Sequence, residues 1–83
     1  MTNIQIEHFL SQQKEQQKQV TIHFKSRNPV VGLFIQMNDY QELKSKNLWR
    51  IVSEANMKSF RASQDYSLAK IFNGMDFTKL QVK

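Results

Sequence analysis

Residues 71–82 read IFNGMDFTKLQV, and the reading of this stretch decides the fold. Two runs with β-branched and aromatic residues flank Asn73-Gly74, the strongest short hairpin signal in the chain. On that reading YSLAKIF (66–72) and MDFTKLQVK (75–83) are two strands joined by a type I′ turn. The same stretch also reads as the wall of a nucleic-acid site. Asn73 offers both a donor and an acceptor, and Gly74 lets a base or phosphate approach the backbone.

Upstream, the hydrophobic period tells strands from helix. Val20, Ile22 and Phe24 alternate with Thr21, His23 and Lys25, the pattern of a half-buried strand. SRNP (26–29) is turn chemistry, and PVVGLFIQM follows as a second strand. Gly32 inside it implies a bulge, a sharp bend or close approach of another backbone. NDYQELKSKN (38–47) is polar, with a turn of helix, and LWRIVS (48–53) is a third strand. EAN is a tight connection, and MKSFRAS (57–63) reads as a weaker strand that pairs back or extends the third.

Only the N-terminus breaks this pattern. Thr2 and Gln5 form a capping box, and Ile6, Phe9 and Leu10 share one helical face. The apolar-free run SQQKEQQKQ (11–19) continues the helix by propensity but has nothing to bury. The expectation is one domain over 1–83, with a helix at 3–17 and a small, strongly bent barrel of five or six strands at 20–82. The class is mainly β with an N-terminal helix. Closure suits strands this short because it removes exposed edges.

Bulk properties bound the partners. Eighty-three residues make one domain with a modest core, the kind that often gains stability by self-assembly. There is no Cys, which excludes disulfides and thiolate metal sites and points to a reducing compartment. No stretch reads as a secretory signal or a membrane span, so a soluble cytoplasmic protein is expected. The net charge of +5 biases partners toward anions, nucleic acid first.

The apolar pair Ile71-Phe72, then Asn73-Gly74, two variable positions, and Phe77 and Leu80 three apart, resemble the second signature of the Sm-like family of Sm, LSm and Hfq-type proteins. Val20, Ile22 and Phe24 with Gly32 eight positions later and Asp39 beyond it resemble the first. Asp39 falls one position later than usual, YQELKSK replaces the residues expected next, and Asn47 arrives late. The resemblance implies a helix followed by five bent strands, and subunits that form a homo-oligomeric ring by pairing YSLAKIF with a neighbour's MDFTKLQV. It implies single-stranded RNA as partner, with no cofactor and no small-molecule substrate. Asp39, Tyr40 and Asn47 would come from one loop and Asn73, Gly74 and Met75 from another, meeting at the ring's pore.

Each candidate also has a plainer reading. Tyr40 either stacks a base or lies across the barrel rim, and Asp39 either reads a base or caps a turn. Lys44, Lys46 and Arg50, with Lys25 and Arg27 and with Lys58 and Arg61, either form a field for RNA or merely blunt aggregation. Lys14 and Lys18 are either a second anionic contact or solvated. Trp49, Phe60, Phe72 and Phe77 read as core, with Trp49 also suited to a subunit interface. His8 and His23 lack partners at ligand spacing, and no catalytic constellation appears, so the chain does not read as an enzyme. The leading expectation is a non-catalytic RNA-binding ring, with RNA-chaperone activity. The alternative is an SH3-like protein-interaction or scaffold module that binds no nucleic acid.

Overall fold

The structure, a computed structural model, describes residues 1–13 and 18–83. Helix α1 (Asn3–Ser11) opens with Thr2 as N-cap, and the reciprocal Thr2–Gln5 capping box is present. It stops at Ser11, short of the expected residue 17. Gln12 caps it, and its last carbonyls are taken up by the Ser11 hydroxyl and the Gln13 amide. Beyond Leu10 no apolar side chain rewards further winding. The expected continuation over 14–17, and the Lys14 contact, lie outside the described residues.

Five strands follow: β1 (Val20–Phe24), β2 (Val30–Ile35), β3 (Leu48–Ser53), β4 (Lys70–Asn73) and β5 (Phe77–Val82). They form one antiparallel sheet in the order β4-β3-β2-β1-β5, so the first four are sequential neighbours and the last returns to pair with β1. Helix α2 (Tyr40–Ser45) fills the β2–β3 connection. Helix α3 (Glu54–Ser63) stands where MKSFRAS was expected to be a strand. Met57 and Phe60, three apart, are its buried residues, and that spacing belongs to a helix face. The expected strand 66–72 shortens to β4, because Tyr66–Leu68 winds into a 3₁₀ turn capped by Asp65.

The Asn73-Gly74 hairpin does not form. β4 pairs with β3 and β5 with β1; the two are opposite edges of the sheet. A 3₁₀ turn (Gly74–Asp76) joins them, with Asn73 as its N-cap accepting from the Met75 N–H at 2.9 Å. A type I′ turn needs positive φ at both central residues, and neither Asn73, at φ −86°, nor Gly74 has it.

This short connection fixes the curvature. In a flat five-stranded sheet the outer strands would lie about 19 Å apart. Asn73 and Phe77 can be separated by at most roughly 14 Å even at full extension. The sheet must therefore curl until its edges approach. Side chains fill the gap: Phe24 of β1 lies 6.0 Å from Phe72 of β4 and 5.3 Å from Phe77 of β5, centroid to centroid. The Arg27 guanidinium sits over both Phe24 and Phe72, at 4.9 and 5.8 Å. Gly32 supplies close approach: a Cβ there would lie 2.5 Å from Ile51 Cγ2.

Each face of the sheet buries its own cluster. One gathers Ile22, Trp49, Ile51, Phe77 and Leu80 under Ile6 of α1. The other gathers Leu33, Ile35 and Val52 under Met57 and Phe60 of α3. Alternation along β3 decides the split, since Trp49 and Ile51 point one way and Val52 the other. Among the described residues no helix is long and apolar enough to cross a membrane.

Candidate nucleic-acid interface

The β4–β5 corner is built around Asn47, which ends α2 in the left-handed conformation at φ 60°. Asn is one of the few residues that tolerate this region. Its backbone N–H donates to the Lys44 carbonyl, and its own carbonyl accepts from the Gly74 N–H at 2.8 Å. Its side-chain amide donates to the Met1 carbonyl at 2.9 Å, and its side-chain oxygen accepts from Trp49 Nε1 at 2.8 Å. The Met1 nitrogen in turn donates to the carbonyls of Gly74 and Phe77, at 3.0 and 2.7 Å. Asn47 thus locks the start of α1, the β2–β3 connection and the β4–β5 turn together.

Gly74 is buried at this junction. A Cβ there would collide with the Asn47 side-chain oxygen and would lie 2.5 Å from Ile6 Cδ1 and 2.8 Å from Trp49 Nε1. Its missing side chain makes room for the protein's own atoms, not for a base. Asn73 and Met75 remain outside. The Asn73 oxygen is spent on the turn, and Met75 is 61% exposed.

An open groove of about 470 Å³ borders this corner. Lys46, Asn47 and Met75 line it, with Thr2, Gln5 and Lys25. The structure thus brings three of the expected residues to one place and adds the first turn of α1. The capping box had marked Thr2 and Gln5 as helix chemistry only, and nothing in the sequence sets α1 against residues 46–47. Lys25 stands in none of the four ion pairs among the described residues.

Other expected residues lie apart from the groove. Tyr40 packs edge-on against Trp49 at 6.1 Å, and burial pushes its phenol up. Lys44 sits 5.6 Å from the Tyr40 ring and is ion-paired with Glu7 of α1. Arg50 grips Asp39 with two hydrogen bonds, at 2.5 and 3.3 Å. These bonds hold the Asp39 carboxyl below the usual aspartate range. Lys46 pairs with Glu42 one turn earlier at 3.4 Å. All three cations expected to face RNA from this region, Lys44, Lys46 and Arg50, therefore have carboxylate partners within the chain.

Comparison with models of protein families, with curated proteins and with solved structures finds no match to this chain.

Proposed function

We propose that the protein is an Sm-like barrel that assembles into a homo-oligomeric ring and binds single-stranded RNA without catalysis. The observation that carries this reading is the curled five-strand sheet behind an N-terminal helix, with opposite edges joined at the Asn73-Gly74 corner. Among the described residues neither edge strand has a second strand partner. Pairing β4 of one copy with β5 of the next would satisfy both and would bring Ile71, 50% exposed, out of water. In such a ring the groove beside Met75 would repeat around the pore. Its exposed thioether and the Gln5 amide nitrogen, whose oxygen alone is taken by the capping box, suit an unstacked base, and Lys25 suits the adjoining phosphate.

The test is anisotropy of labelled oligo-U and oligo-A RNA against the full chain. Binding should weaken steeply with salt, following the number of phosphates neutralised. Lys25→Glu and Met75→Ala should each weaken it on the order of tenfold, Met75 through lost base contact. An assembled ring that binds neither RNA at low salt ends the RNA claim.

The internal pairing of Lys44, Lys46 and Arg50 favours a second reading, an SH3-like protein-interaction or scaffold module. Docking of that kind would be insensitive to salt and to Lys25→Glu.

A further inference from the structure

A second groove, also of about 470 Å³, lies away from the Asn47 corner, lined by Gln36, Met37, Asn38, Asp39 and Tyr66. Asp39 is held here by Arg50, which alternates with Trp49 and Ile51 along β3 and so shares the α3 side of the sheet with Val52. We propose that this groove binds a nucleobase, with guanine preferred over uracil.

Its parts have that chemistry. Tyr66 is 41% exposed yet firmly placed. Its ring meets that of Phe60 at 5.5 Å in a T-shaped contact. The 3₁₀ turn that carries it is pinned by Asp65, which accepts from the Ser67 N–H at 3.0 Å and the Ser67 hydroxyl at 2.6 Å. Met37, 36% exposed, supplies a polarizable thioether on the same groove. An aromatic face positioned before the ligand arrives costs little ordering on binding.

The groove also carries groups that can read a base edge. The Gln36 and Asn38 carboxamides are exposed, and neither bonds a protein group among the described residues. Each offers a donor and an acceptor. Each Asp39 oxygen accepts one bond from Arg50 and keeps capacity for another. Because Arg50 keeps this carboxylate ionised, it can only accept. A guanine edge presents amino and ring N–H donors beside the O6 acceptor, which matches an accepting carboxylate next to donating amides. Uracil has one ring N–H and no amino group. The Arg50 charge also offsets Asp39, so a phosphate on the same nucleotide meets no net repulsion from the pair.

The base could belong to an RNA strand or to a free nucleotide, and the test separates the two. The full chain is labelled with 3-fluorotyrosine, and its two ¹⁹F signals are assigned by Tyr40→Phe and Tyr66→Phe. It is then titrated with guanosine 5′-monophosphate, uridine 5′-monophosphate and an eight-nucleotide RNA containing guanine. The Tyr66 signal should move saturably, at several-fold lower concentration for the guanine nucleotide than for the uracil one. Movement with mononucleotide assigns free nucleotide as a ligand, and movement with RNA alone assigns the strand. Tyr66→Ala should weaken binding on the order of tenfold while Tyr66→Phe stays within about twofold of the native chain, as stacking requires. A Tyr66 signal unmoved by all three ligands, or movement of Tyr40 alone, overturns the proposal. Lys25→Glu should leave the guanosine monophosphate response intact, so loss of RNA binding at the first groove is read separately.

Discussion

Gly74 shows how one missing methyl group shapes this molecule. Its φ is ordinary, so the need for glycine is steric. A Cβ would drive into Asn47, Ile6 and Trp49, the three residues that meet at the corner. None is the loose end of a flexible side chain, since Asn47 is bonded on every side and Trp49 and Ile6 are fully packed. Gly74→Ala should therefore destabilise the fold by roughly 1–3 kcal/mol, the usual cost of overpacking, read as a lower urea midpoint at unchanged slope. Asn47 entered as a candidate through the Sm-like resemblance, and its structural use at the corner was not legible in the sequence. Each of its partners other than Lys44 and Trp49 lies more than twenty residues away in sequence, so local spacing carries no trace of them.

The link between β2 and α2 is tied down by one ion pair, Asp39 to Arg50 of β3. The folded Asp39 carboxyl sits below its ordinary range, so the pair's contribution is complete above about pH 4, where the unfolded carboxyl is ionised. It is lost as pH falls from there through the lower folded value. The melting temperature of the native chain should exceed that of Asp39→Asn by a constant margin from pH 7 to 5, and the margin should shrink below pH 4. A margin that grows on acidification would show that the pair does not hold the link. β1 was legible because its apolar residues alternate, and β3 as a short run whose apolar residues serve both faces of the sheet. α3 was not, although Met57 and Phe60 carried the helical spacing; beside a clear third strand, the run 57–63 read as a strand that pairs back on it or extends it. Asn73-Gly74 misled for a different reason. Turn chemistry reports what two residues tolerate, whereas strand pairing across the sheet decided what they did.

The whole sheet ends in two short edges held close together but not hydrogen-bonded to each other. Phe24, Phe72 and Phe77, with Arg27 above, pack across the space between them, and among the described residues each edge strand pairs on one side alone. On the ring reading, Ile71→Glu should place a charge at every subunit boundary and shift light scattering at micromolar concentration toward monomer, with the circular dichroism of the fold unchanged. A native chain that scatters as a monomer removes the ring. The corner that joins these edges also holds the one tryptophan, 2% exposed, with its N–H committed to Asn47. Any event that pulls Gly74 off Asn47, whether a ligand at Met75 or a neighbouring copy at β4, must disturb that indole's surroundings. The molecule therefore carries an optical gauge at its own seam. Its ultraviolet emission should register the opening of the corner while the remainder of the sheet is still intact.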